Sequence, residues 1–195
     1  MIPSKEISRQ LVHLLVGVGF CILYLVDVLT VPFMVIFTGA GILIYYLNKE
    51  YPLKILEPFL AALERDADRK RAPGKGALTL IIGITLSMIL FPKDIALAAI
   101  IILALGDSVS PLIGHYGRIS HPLSRDKEKM LEGTIAGFVV GYMGAQFFVS
   151  PFEAFIASAF AMLFEALEVR IYKTMDDNIV MPLVAGGILM LLRLL

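Results

Sequence analysis

The sequence predicts an all-α, polytopic membrane protein with about seven transmembrane helices plus an interfacial amphipathic helix. Three observations predict it. Of 195 residues, 58% are hydrophobic and 17% charged, against about 45–50% and about 25% in a soluble domain. The apolar residues gather into seven runs, each close to the roughly 20 residues that cross a bilayer core of about 30 Å. Lys and Arg residues concentrate in alternate loops. Closed barrels also satisfy the backbone in lipid, but these runs lack period-two alternation. A soluble enzyme, a disordered chain and a collagen-like fibre are excluded. So is a disulfide scaffold, because the chain has one cysteine. The length suits a single domain, 1–195.

The expected spans are Leu11–Val26, Val31–Leu47, Leu78–Phe91, Ile95–Ile113, Leu131–Val149, Phe152–Leu167 and Ile179–Leu195, the third and sixth being short. The first follows Lys5 and Arg9, but no small-x-small cleavage pattern follows it, so it reads as a helix and not as a removable signal. Fifteen of the seventeen Lys and Arg residues fall at the N-terminal end or in the second, fourth and sixth loops, leaving Lys93 and Arg193 opposite. By the positive-inside rule this is a multi-pass integral membrane protein with a cytoplasmic N-terminus and an external C-terminus. In the second loop, Leu53, Leu56, Leu60 and Leu63 fall near one helical face between Pro52 and Arg71. That pattern suits a helix lying in the interface plane. The basic turn Arg69-Lys70-Arg71-Ala72-Pro73-Gly74-Lys75-Gly76 follows it.

No P-loop, H-E-x-x-H or cysteine cluster is present. The strongest chemical signal is Gly106-Asp107-Ser108-Val109-Ser110-Pro111-Leu112-Ile113-Gly114-His115-Tyr116-Gly117. It sets an acid and two hydroxyls inside the fourth span, where a carboxylate is costly and by default functional. Its glycines would let a backbone approach a phosphate. Next comes Lys129-Met130-Leu131-Glu132-Gly133-Thr134, which read as helix puts Lys129 and Glu132 three residues apart at a helix N-terminus, a place suited to anions. Gly133, Gly137 and Gly141 form a small-residue stripe suited to helix packing. Glu165, Glu168, Tyr172 and Asp176 recur at helical spacing, and Asp177, Asn178 and Pro182 follow. Such carboxylates suit Mg²⁺, which takes one or two of them plus substrate phosphates. Glu6, Arg9, His13 and Gly17 share a face of the first span, with His13 expected to bond a neighbouring helix. His115 and His121 show no metal-ligand spacing, and Cys21 reads as a small apolar residue. All these sets lie on the expected cytoplasmic side, where a soluble nucleotide meets a membrane lipid.

The Gly106-Asp107-Ser108 run with Gly114 and Gly117, then Lys129-x-x-Glu132-Gly133-Thr134, resembles the central signature of the CTP-dependent lipid kinases. That family includes dolichol kinase, phytol kinase and the CTP-using diacylglycerol kinases of fungi, and is kin to phosphatidate cytidylyltransferases. The Glu6-Arg9-His13-Gly17 face, Gly76-Ala77-Leu78-Thr79, and Asp177-Asn178 with Pro182 extend the resemblance along the chain. Met130 stands where the family usually has a hydroxyl residue, and the extra N-terminal spans of eukaryotic dolichol kinases are not matched, so the chain looks like a minimal catalytic core.

The resemblance implies CTP as phosphoryl donor, Mg²⁺ or another divalent cation, and a lipid alcohol such as dolichol or polyprenol as acceptor. It implies catalytic roles for Asp107, Lys129, Glu132 and Asp177. Gly106, Ser108, Ser110, Gly114, Gly117, Gly133, Thr134 and Lys75 would then line the nucleotide, and Asp107, Glu132, Asp176 and Asp177 would hold the metal. Asp107 and Asp176 are both candidates to accept the alcohol proton. A cytidylyltransferase attacking the α-phosphate to make a CDP-lipid is the enzymatic alternative, and a small-molecule or ion transporter the alternative of another class. The oligomeric state stays open, a homodimer included; no bulk charge argues for nucleic acid.

Overall fold

A computed structural model describes residues 2–64, 66–123, 129–167 and 176–195. Arg65, Arg125, Lys127, Glu168, Arg170, Tyr172 and Lys173 of the sequence reading, and the side chain of Leu63, lie outside them. The described residues are helical, apart from turns and one isolated bridge between Ser120 and Met130. The helices are α1 (Ser4–Leu25), α2 (Val31–Glu50), α3 (Glu57–Leu63), α4 (Asp66–Arg71), α5 (Lys75–Leu90) and α6 (Lys93–Ile102). A π-helical turn (Leu103–Asp107) continues α6 into α7 (Ser108–Gly114), and α8 (Leu131–Ala145), α9 (Pro151–Ala166) and α10 (Asp177–Leu194) follow. Ser4–Leu25, Val31–Glu50, Lys93–Gly114 and Asp177–Leu194 are long and apolar enough to cross a membrane. Helices α5, α8 and α9 have 16, 15 and 16 residues, or about 22–24 Å at 1.5 Å per residue.

Helix ends follow local chemistry. Thr30 caps α2 by accepting from the Phe33 amide. Ser150 and Glu153 form a reciprocal capping box at the start of α9, with Pro151 in the first turn. Asp176 caps α10 through the Asn178 amide. Helix α1 begins seven residues before the predicted span, at Ser4. There Glu6 accepts from Arg9 at 2.6 Å and from Gln10 at 2.9 Å, tying the polar first turns together.

The amphipathic segment is broken. Helix α3 ends where Glu64 turns extended, and the Glu64 carboxylate instead accepts from the Gly74 amide at 2.8 Å. Gly74 is left-handed, with φ of 86°, which glycine adopts freely. Leu53, Leu56 and Leu60 are half-buried, with α3 packed on α1, while Tyr51, Ile55 and Phe59 are exposed. The leucine face is the more buried face of this segment.

The α6–α7 rod is the axis of the bundle, and α1, α5, α8, α9 and α10 surround it. Every residue from Ile95 to Ala104 is buried. Helix α2 lies outside against α5, where Thr38 and Thr85 share a 2.7 Å hydrogen bond. Between apolar helices in lipid no hydrophobic force distinguishes partners, so close approach of small residues carries the packing. A Cβ on Gly17 would stand 2.6 Å from the Ala104 Cβ, so α1 rides directly on the π turn.

Two prolines shape the axis and its neighbour. Pro111 lies inside α7 and Pro182 inside α10. Neither has an N–H to return to the carbonyl four residues back, which belongs to Asp107 in one case and Asn178 in the other. The helix widens into the π turn ending at Asp107. The Asn178 carbonyl lies against Gly83 of α5, where a Cβ would collide with it.

Candidate active site

Lys129 sits at the centre of the site. Its backbone is fixed by the bridge: His121 N–H donates to its carbonyl at 2.8 Å, and Leu131 N–H donates to Ile119 at 2.9 Å. Its ammonium donates to both the main-chain oxygen and Oε1 of Glu165 at 2.6 Å, and reaches Asp177 Oδ2 at 3.4 Å. Glu165 in the last turn of α9 is 4% exposed, whereas Asp177 opening α10 is 43% exposed. Burial alone would lower the Lys129 pKa, but Glu165 and Asp177, with Asp107 beyond them, carry it above the ordinary lysine value. It is therefore a cation at neutral pH.

Asp107 closes the π turn and faces His13 of α1, with Nε2 and Oδ2 3.5 Å apart, within ion-pair reach but unaligned as a hydrogen bond. The π turn decides where that carboxylate points, because the extra residue per turn rotates everything after Leu103 relative to a regular helix. Such turns are often found at functional sites.

On the far side, Lys75 at the start of α5 stands 3.5 Å from Asp176. Asn178 donates to the Gly76 carbonyl at 3.3 Å and to Thr79 Oγ1 at 3.1 Å. These contacts join the first turns of α5 and α10 beside Lys129.

The helical neighbourhood read for Lys129 and Glu132 does not form. Met130 is extended, at φ −104° and ψ 140°, so the helix starts only at Leu131. Three-residue spacing brings side chains together only when both residues are helical. Lys129 therefore turns to Glu165 and Asp177, while Glu132 accepts from the amides of Arg118 at 2.8 Å and Ile119 at 3.2 Å. Glu132 holds a loop. Asp176 likewise is an extended N-cap and does not continue the α9 face.

The motif glycines are at helix contacts. A Cβ on Gly133 would meet the Ser110 carbonyl and stand 2.9 Å from Gly114 Cα, and one on Gly137 would be 2.7 Å from the Gly106 carbonyl. Gly114 and Gly133 let α7 and α8 touch, and Gly106 and Gly137 bring the π turn against α8. Gly117 turns tightly beneath Met130 and Glu132. Ser108, Ser110 and Thr134 are buried.

Among the described residues, Arg9 Nε, Gln10 Oε1, His13 Nε2, Ser108 Oγ, Thr134 Oγ1 and Glu165 Oε2 are buried without a hydrogen-bond partner. Native proteins leave few such atoms, and each calls for an explanation. These belong to the helices that frame Asp107 and Lys129. No three His, Cys, Asp or Glu side chains gather into a metal-holding group among the described residues.

Glu165 is the residue that the sequence did not single out. It read as one member of a carboxylate run, but its place is set by α8 and α9 packing, which brings it over Lys129 from 36 residues away. The one local cue is a glutamate set in the apolar run Ala161-Met162-Leu163-Phe164-Glu165-Ala166.

Over 193 residues the chain is 31% identical to the uncharacterized protein MJ1137 of Methanocaldococcus jannaschii, covering 95% of this chain and 93% of the relative. The chain belongs to that protein's family. It is also 25% identical over 217 residues to CTP-dependent diacylglycerol kinase 1 of Schizosaccharomyces pombe, covering 97% of this chain and 94% of that protein. A shorter stretch of 78 residues is 32% identical to CTP-dependent diacylglycerol kinase 1 of Eremothecium gossypii, covering 40% of this chain and 24% of that protein. No family model matches the chain, and no solved structure matches it.

Proposed function

We propose that this protein phosphorylates a membrane lipid alcohol, using CTP as donor, at the cytoplasmic face of the membrane. The observation that carries the proposal is the convergence of Lys129, Asp177, Asp107 and His13, from separate segments, at one end of an apolar bundle. Full-length similarity to a CTP-dependent diacylglycerol kinase supports the donor and the reaction class. The acceptor is dolichol, polyprenol or a similar isoprenoid alcohol, with diacylglycerol the rival acceptor that the fungal relatives bring forward.

In this reading the lipid hydroxyl oxygen attacks the γ-phosphorus of CTP. A new O–P bond forms, the bond from γ-phosphorus to the bridging oxygen breaks, and CDP leaves. Phosphoryl transfer asks the protein mainly to position the groups and stabilise charge. Lys129 binds phosphate oxygens, with Lys75 beside it at the rim. Asp107 receives the alcohol proton, with His13 of α1 alongside it. The oxygen atoms at hand fit a nucleotide-borne Mg²⁺ better than a dedicated protein cage. The partly exposed Asp176 and Asp177 are the carboxylates that would hold it, and the ion supplies neutralisation of phosphate charge. Glu132 is left out, because its oxygens are taken by backbone amides.

The test is purified protein in mixed micelles with γ-labelled CTP and a panel of lipid alcohols, followed by thin-layer separation. Label in the lipid, with CTP preferred over ATP, is the expected result. In parallel reactions with lipid phosphates as acceptors, label released into the aqueous phase as pyrophosphate, with cytidine appearing in the lipid, would instead mark a cytidylyltransferase.

A further inference from the structure

We propose that Glu165 is the positioning residue for Lys129, aiming its ammonium at the nucleotide. The proposal rests on the assignment of Lys129 to phosphate. An ammonium has three N–H donors. Glu165 engages two of them, through its carboxylate and its own main-chain oxygen, both at 2.6 Å. The third is directed toward Asp177, at the more exposed edge of the site. A lysine stem is long and freely rotating, and holding its tip costs side-chain entropy. Two acceptors on one residue hold it with a single rigid helix end.

The position is a costly one for a structural carboxylate. Glu165 lies in the last turn of a 16-residue apolar helix and is 4% exposed, where unpaired carbonyls already make the helix end negative. The lysine alone would satisfy the carbonyl. Buried ion pairs often add little stability over apolar residues of similar volume, so packing does not account for the second negative group. Its other oxygen, Oε2, is buried without a partner among the described residues. The carboxylate is thus committed to the lysine on one oxygen and unsatisfied on the other, as a group whose task is orientation would be.

The experiment is a double-mutant cycle on purified protein, with initial rates per folded molecule and CTP as the varied substrate. Lys129→Met is expected to lower kcat/KM at least 100-fold, and Glu165→Gln about 10- to 100-fold with a near-parent melting temperature. Glu165→Asp, which keeps the charge but withdraws it by one methylene, should fall between parent and Glu165→Gln. Adding Glu165→Gln to Lys129→Met should cost nothing further, because its only effect runs through the lysine. Independent, multiplying losses would overturn the proposal, as would parent-like rates in Glu165→Gln. If both Glu165 variants fail to fold while Lys129→Met folds, Glu165 serves the fold and the proposal is equally overturned. Parent-like activity in Lys129→Met would break the phosphate assignment itself, a different failure from an active Glu165→Gln beside an inactive Lys129→Met.

Discussion

The two ends of the bundle handle charge in opposite ways. At the Lys93 end, every charge of the central segments is matched locally. Lys93 meets Asp27 at 2.7 Å and the Leu25 carbonyl at 3.0 Å. Arg193 bridges Asp94 at 2.7 Å and Glu153 at 2.9 Å. These groups are mostly water-accessible. At the Lys129 end a lysine, carboxylates and a histidine are drawn inward, and six buried polar atoms on the helices there have no hydrogen-bond partner among the described residues. The first arrangement closes helix ends. The second stores unsatisfied polarity, which a fold tolerates only where something else supplies the partner. The difference is what separates a structural ion pair from a candidate site, and it can be attacked from both sides.

The largest effect is expected at Asp107. Asp107→Asn keeps the shape and most of the hydrogen bonding but removes the charge. If the carboxylate takes the alcohol proton, specific activity should fall by about 100-fold or more, with the melting temperature close to the parent's. Full activity per folded molecule would make Asp107 a packing group like those at the other end.

Gly133→Ala comes next, and tests stability. Its new methyl would press on the Ser110 carbonyl and the Gly114 backbone, and neither is a flexible side chain that can swing away. Overpacking of this kind costs about 1–3 kcal/mol, read as a lower melting temperature in detergent. An unchanged melting temperature would show that the Gly133 contact does not carry the packing of α7 against α8.

Much of this was legible in the sequence. The seven apolar runs became helices within four residues of the predicted bounds, except that α1 starts seven residues early, because lipid solvation fixes both length and composition. The π turn was not legible, since one inserted residue barely disturbs the spacing of an all-apolar face; Pro111, four residues after Asp107, was the available hint. Glycines close to an acid read alike whether a phosphate or another helix comes near, and only the partner helix decides. Lys129 and Glu132 failed as a pair because the helix begins two residues after Lys129, a boundary that spacing does not reveal. Glu165 depended on contacts across the α8–α9 hairpin, which no local pattern encodes.

A smaller effect is expected at Lys75. It is 39% exposed and 3.5 Å from Asp176, so its loss removes a rim charge and leaves the core untouched. Lys75→Met should raise the KM for CTP several-fold with kcat nearly kept, the pattern of a group that binds ground and transition states alike. A fall in kcat with KM unchanged would move Lys75 from the rim into the reaction.

The smallest effect belongs to Lys93, and it bears most directly on the comparison. Lys93 is 38% exposed and its partner Asp27 82%, so water screens the pair and its worth is about 0–1 kcal/mol. The lysine also satisfies the Leu25 carbonyl at the end of α1 and lies 5.6 Å from the Tyr24 ring centre. Asp27 has a positive φ of 58°, a conformation that aspartate tolerates better than most residues. The turn therefore does not depend on the ion pair. Lys93→Met should lower the melting temperature by no more than a few degrees, with kcat and KM at parent values. Replacing a cation at this end should be silent in the assay, whereas Lys129→Met at the other end is not. A Lys93→Met variant that folds but loses activity would mean that the two ends are coupled through the α6–α7 rod, and that the Lys93 end belongs to the working machinery.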